Sequence, residues 1–169
     1  MAACSLISPY EVTTFIPTKQ TSTMDDVKVT CMKDPNYNLT VKDGRVVFAR
    51  ASSNACQHWC KHEEYAKGKV DKYGRKAFAL VNNGTGQALK HYADGKHVEL
   101  VDFDPSDLDE SLLWTDGSSW GKGYSPIWMI NNVNMNLQAK DGVVHSGSTV
   151  QIANWNGGGP NQLWKIVPY

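Results

Sequence analysis

Three Trp residues, Trp59, Trp114 and Trp164, stand 55 and 50 residues apart. Related text leads into each: Gln57-His-Trp59, Leu112-Leu-Trp114 and Gln162-Leu-Trp164. A repeat of roughly 50 residues means one supersecondary unit used several times, with each copy burying its apolar face against the next. The chain therefore reads as a three-lobed all-β body, with one of these Trp residues in the shared core of each lobe.

The rest of each unit fits this reading. Val29-Thr-Cys-Met-Lys-Asp34, Phe78-Ala-Leu-Val-Asn-Asn83 and Ile127-Trp-Met-Ile-Asn-Asn132 stack as strands running into polar turns. In this stacking Trp128 aligns with Thr30 and Ala79. Asn38-Leu-Thr-Val-Lys-Asp-Gly44 parallels Asn136-Leu-Gln-Ala-Lys-Asp-Gly142. Alternation with period two marks strands, and Asp-Gly marks a tight hairpin. Third strands follow at Val46-Val-Phe48, Val98-Glu-Leu100 and Val150-Gln-Ile152, then a loop, then the Trp-bearing strand. Four strands per lobe predict about twelve strands, closed into a barrel capped by hairpins because closure removes sheet edges. The expected lobes are residues 24 to 72, 73 to 122 and 123 to 169, a single domain.

Composition excludes several partners. Lys+Arg and Asp+Glu both number 17, so no net field draws the chain to nucleic acid or to an anionic membrane. No apolar run approaches the about 20 residues of a membrane span. Residues 1 to 23 lack a basic start, and Glu11 interrupts them, so no secretory signal is expected. Two readings of this leader stay open. Its Ser, Thr and Pro suit a loose segment, whereas Leu6, Ile7, Tyr10, Phe15 and Ile16 suit packing onto the body or a partner. Cys4, Cys31, Cys56 and Cys60 show no framework spacing. Free thiols in a reducing compartment follow, with a cytoplasmic and also nuclear location. The sequons at Asn38 and Asn83 matter only on a secretory route.

Gln57-His-Trp59, Gly86-Gln-Ala-Leu-Lys-His91, Leu108-Asp-Glu-Ser-Leu-Leu-Trp114 and Asn161-Gln-Leu-Trp-Lys-Ile-Val-Pro-Tyr169 join the motifs above. Together they resemble the Euonymus lectin domain of plants, within the ricin-B-type lectins, over residues 27 to 169. The resemblance implies a β-trefoil that binds glycans without a metal or cofactor and does not alter them. It also implies a nucleocytoplasmic plant protein and galactosylated, fucosylated (blood-group-like) or mannose-rich ligands. It builds each site from the residue after the Asn-Leu step, the loop after the third strand and the Gln of the Gln-x-Trp end.

A sugar needs fixed amides or carboxylates for its hydroxyls and an aromatic ring for its C–H face. Lobe three is richest: Asn136, Gln138, Asp141, Asn154, Trp155, Asn156, Asn161 and Gln162, with Gly157-Gly-Gly159 leaving room for close approach. A bracing role for Asn161 and Gln162 and core shielding by Trp155 stay open beside it. Lobe one offers a poorer second site at Asp43 and Gln57, with Cys56 where Asn161 stands. Lobe two has Leu112 in place of Gln, which makes that end structural; Asp102, Phe103 and Asp104 remain near it. The family's Asp after the Asn-Leu step is replaced by Thr40, Leu89 and Gln138, and its stacking position by Ala49 and Ala153, so its site chemistry does not transfer intact. Trp120 and Trp128 stand outside the repeat. Trp128 reads either as an exposed contact surface between subunits or as packing under the leader.

Cys56, His58, Cys60 and His62 alternate, but on a strand they spread over roughly 20 Å. One ion with bonds near about 2 Å cannot collect them, so no metal site is expected. His91 and His145 lack a nucleophile at motif spacing and carboxylates are unpaired, so no enzyme is expected. The predicted function is a carbohydrate-binding lectin for glycans or glycoproteins, with a homodimer for avidity. The alternative is a protein-binding trefoil, such as a protease inhibitor or scaffold.

Overall fold

The computed structural model of the chain describes residues 26 to 169; the leader expected at residues 1 to 23, with Cys4, lies outside the described residues. Twelve strands follow in three sets of four. Lobe one holds β1 (Asp26–Cys31), β2 (Tyr37–Lys42), β3 (Arg45–Arg50) and β4 (Trp59–His62). Lobe two holds β5 (Ala77–Asn82), β6 (Gln87–His91), β7 (Val98–Asp102) and β8 (Trp114–Asp116). Lobe three holds β9 (Ile127–Met129), β10 (Asn132–Ala139), β11 (Val150–Asn154) and β12 (Trp164–Pro168).

The outer strands of each lobe make the barrel. β1 pairs with β4, β4 with β5, β5 with β8 and β8 with β9, all antiparallel. β12 pairs with β1, Val27 opposite Pro168 and Cys31 opposite Trp164. Ser125 and Trp164 exchange backbone hydrogen bonds of 2.8 and 2.9 Å, which closes the ring. The hairpins β2–β3, β6–β7 and β10–β11 cap one end. This is a β-trefoil, as expected. Asp43 and Gly44 turn the first hairpin with φ of 51° and 69°, and Asp141 and Gly142 turn the third with 55° and 70°. Asp and Gly tolerate that left-handed region best.

The three repeated indoles do the same work in each lobe. Trp59 Nε1 donates to Leu39 O at 2.9 Å, Trp114 Nε1 to Leu89 O at 3.0 Å, and Trp164 Nε1 to Leu137 O at 2.9 Å. All three rings are buried with Phe48, Phe78, Leu39, Leu89 and Leu137 in one cluster. Each buried indole contributes on the order of 3 kcal/mol of transfer free energy, and its one polar atom is satisfied within its own lobe.

The pairing corrects the sequence stacking of lobe two by two residues. Val27 and Phe78 face their own lobes' Trp59 and Trp114, so Phe78 matches Val27 rather than Val29. Thr30, Val81 and Trp128 are then equivalent, each opposite the cap strand at Asn38, Ala88 and Asn136. All six residues of β5 are buried, so alternation carries no phase there. Trp128 is also not an exposed contact surface: it is 7% exposed, against Trp155 and Arg75, while its other expected reading, packing under the leader, falls outside the described residues.

Candidate functional site

A 3-10 turn precedes each repeated Trp strand, at Ala55–Gln57, Glu110–Leu112 and Pro160–Gln162. Its last residue points a side chain under the loop that follows the third strand. In lobe one, Gln57 Oε1 accepts from Ser52 N and Asn38 Nδ2, both at 2.9 Å, while its Nε2 donates to Arg50 O at 2.8 Å. In lobe three, Gln162 Oε1 accepts from Asn156 N at 2.9 Å, and its Nε2 donates to Asn154 O at 2.8 Å and Gln138 Oε1 at 2.6 Å. The loops are held the same way because a planar amide offers a donor and an acceptor a fixed distance apart. Lobe two has Leu112 there. Its loop is held instead by Asp109, whose carboxylate accepts from Ser111 N at 2.9 Å and Lys90 Nζ at 3.0 Å. Burial pushes the Asp109 carboxyl up, but these hydrogen bonds outweigh it and hold it below the usual range.

Above the Gln162 bracket, lobe three carries a strip of polar groups and rings. Asn161 Nδ2 lies 3.9 Å from where a Cβ on Gly142 would sit, beside the exposed Asp141. Asn161 Oδ1 and Asn156 Nδ2 each lie 2.8 Å from the Cβ position of Gly159. A side chain at residue 159 would collide with both amides, and Asn156 Oδ1 already accepts from Gly159 N at 2.8 Å. The Cβ position of Gly158 is 3.0 Å from the Trp120 ring, whereas that of Gly157 meets open space. Trp120 meets Trp155 at 5.2 Å between ring centroids, and Trp155 meets Trp128 at 4.9 Å. Arg75 stacks on Trp128 from beneath at 5.5 Å, held by its Nε donating to the buried Asp71 at 2.6 Å. The rings thus grade outward from buried Trp128 through half-buried Trp155 to Trp120, which is 53% exposed.

No protein-family profile matches the chain. It is 45% identical over 150 residues to the ricin B-like lectin EULS3 of Arabidopsis thaliana, covering 85% of this chain and 47% of that protein. It is 41% identical to the ricin B-like lectin R40G3 of Oryza sativa subsp. japonica, covering 85% of this chain and 73% of that one. The chain belongs to the ricin B-like lectins. The EULS3 match places it with the Euonymus-lectin type expected from its motifs, though it spans about half that relative's length. Among solved structures, a Macrolepiota procera ricin B-like lectin in complex with lactose aligns with a TM-score of 0.67 at 20% identity, over 89% of this chain and 99% of that one. That likeness speaks to the fold.

Within this ricin B-like lectin, the expected site residues divide. Asn154, Asn156 and Asp141 are exposed; Gln138, Trp155 and Asn161 are half-buried. Asn136 and Gln162 do not reach the surface, each being 0% exposed. Gln162 is wholly spent on bracing. Asn136 Nδ2 donates to Ala153 O at 3.3 Å, and its buried Oδ1 has no partner among the described residues. In lobe one, Gln57 is 3% exposed and braces in the same way. Asp43 sits in the far turn of the β2–β3 hairpin, five positions from Asn38 and so roughly 17 Å along the strand. Asp43 and Gln57 are not brought together.

The sequence reading sets Trp120 outside the repeat, and the structure corrects this. Trp120 sits six residues after Trp114, as Tyr65 does after Trp59, and Tyr169 stands five after Trp164. Each of these rings crosses into the next lobe. Tyr65 OH donates to Asp107 O at 2.7 Å and accepts from Asp109 N at 2.8 Å. Tyr169 OH donates to Ser52 O at 3.2 Å. An aromatic at matched distance beyond each repeated Trp was the available signal.

Proposed function

We propose that this chain is a carbohydrate-binding lectin whose working site is the lobe-three strip. The observation that carries this reading is the pair of amides, Asn156 and Asn161, brought together against Gly159, where only a glycine fits beside them. Two planar amides present donors and acceptors to adjacent sugar hydroxyls, and the nearby indoles present an apolar face to the C–H side. Asn154, Gln138 and Asp141 extend the polar edge. The chain binds glycans and leaves them unaltered, and it uses neither a metal nor a cofactor. The motif resemblance favours galactosylated and fucosylated epitopes, then mannose-rich ones. A shallow site of this kind binds weakly, so a homodimer would supply the avidity.

An array bearing galactosyl, fucosyl and mannosyl glycans tests the reading. Binding by the wild type, lost in Asn161→Ala with thermal unfolding unchanged, is expected. Tight capture of a protein with no glycan bound would replace it with the protein-binding alternative.

A further inference from the structure

We propose that the sugar-stacking ring of this site is Trp120, delivered across the lobe boundary from lobe two, and that the tyrosines at the matching positions close the other two lobes. This rests on the glycan reading above and names the residue that gives it an apolar face.

Three aromatics occupy one structural position, each extending from the end of a Trp-bearing strand over the next lobe's bracketed loop. Two are phenols, and both phenols are consumed. Tyr65 is 4% exposed, and its hydroxyl is tied to Asp107 O and Asp109 N. The Tyr169 hydroxyl accepts from Asn38 Nδ2 at 3.3 Å and donates to Ser52 O, and its ring is stacked on His58 at 3.7 Å with planes 4° apart. These lobes have their loop carbonyls and one ring face already occupied by the chain itself.

Trp120 has no such tie. Its indole makes no hydrogen bond to a described residue, and it is the most exposed of these rings apart from its contact with Gly158 and Trp155. Its backbone is nevertheless fixed: Trp120 N donates to Tyr124 O at 2.8 Å, across a turn with φ of 107°, 53° and 77° at Gly121, Lys122 and Gly123. A fixed, exposed indole loses little entropy on stacking a pyranose. Gly158 and Gly159 are adjacent, so the Trp120 ring and the Asn156–Asn161 amide pair flank consecutive residues. That spacing suits one sugar ring, with its hydroxyl edge on the amides and its C–H face on the indole. Trp155 lies between Trp120 and Trp128 and serves as the support that sets the Trp120 angle.

The test compares Trp120→Ala, Trp120→Leu and Trp120→Phe with the wild type across concentrations on the same glycan array. Near-UV circular dichroism verifies the fold. Trp120→Ala and Trp120→Leu should each weaken binding about tenfold, and Trp120→Phe should stay within about threefold. Leu covers Trp155 as well as Phe does but cannot stack, so a packing role predicts that Leu rescues. Wild-type affinity in Trp120→Leu overturns the stacking role while Asn161→Ala still reports the site. A wild type that binds no glycan on the array overturns both readings.

Discussion

The Tyr169 hydroxyl takes a hydrogen bond from Asn38 Nδ2 at 3.3 Å, joining the last strand of lobe three to the cap of lobe one. Asn38 is 1% exposed, and its amide also serves the Gln57 bracket at 2.9 Å. Tyr169→Phe removes only the hydroxyl and leaves the His58 stack in place. It should cost about 1 kcal/mol in urea unfolding and leave lobe-three glycan binding unchanged. A loss of glycan binding would mean that lobe one carries the site.

Gln162→Ala strips three partners at once: Asn156 N, Asn154 O and Gln138 Oε1. Unpaired buried groups cost about 1–3 kcal/mol each, though water entering the gap recovers part of it. The expected result is a drop of about 2–4 kcal/mol with weakened glycan binding, because the Asn156 loop is released. Asn161→Ala should instead weaken binding at unchanged stability. Equal stability of both variants, measured by denaturant titration, would contradict the bracing role.

Gly84 fits closely against lobe one. A Cβ there would lie 2.8 Å from Cys56 N and 2.9 Å from Ala55 C, both backbone atoms that cannot swing aside. Gly84→Ala should therefore destabilise by about 1–3 kcal/mol. Gly44→Ala, whose Cβ would meet nothing, should cost only the strain of its left-handed φ. Thermal unfolding of the two variants separates contact from conformation.

Acid should weaken the fold in two stages. Burial holds the His91 imidazole below its ordinary pKa, although Leu113 O, 3.0 Å from Nε2, partly offsets this. The unfolded chain then takes up a proton near about pH 6.5 while the folded one resists. The contribution of His91 is complete above that pH and is lost as pH falls toward the lower folded value. Asp71 acts further down. Burial raises its carboxyl, but hydrogen bonds from Thr115, Arg75 and the backbone N–H of Tyr73 and Arg75 outweigh it, leaving the pKa depressed. Its contribution is complete above about pH 4 and is lost below it. Unfolding free energy measured against pH should fall below pH 6.5, and His91→Gln should flatten that upper limb.

The three indole bonds predict near-equivalence among the lobes. Trp59→Phe, Trp114→Phe and Trp164→Phe each leave a buried Leu carbonyl without its donor and a gap beside it. Each should cost about 2–4 kcal/mol in chemical denaturation. A lobe whose variant costs under about 1 kcal/mol would not share the common core.

Much of this was legible in one dimension. The repeated Trp spacing, the Asp-Gly turns and the alternation in β1 and β11 carry the threefold β architecture because period-two burial and turn chemistry are local properties. The register of β5 was not legible, since residues buried on both faces leave no alternation to phase; only the pairing of Phe78 with Trp114 sets it. The amide-rich loop of lobe three stood out by composition. Which of its members reach the surface did not, because Gln162 and Asn161 are neighbours of similar chemistry on a 3-10 turn that sends one inward and one outward.

The sequence by itself determined that three like units fold into strands, and that the third is the richest in amides. Only the tertiary structure decided that Gln57 and Gln162 are bolts under their loops and that Trp120 belongs with lobe three although it is encoded after the strands of lobe two. The reason is barrel closure. It brings the end of one lobe over the next: spacing repeats an aromatic after each Trp, but the lobe which that ring covers is set by contacts between segments far apart in the chain.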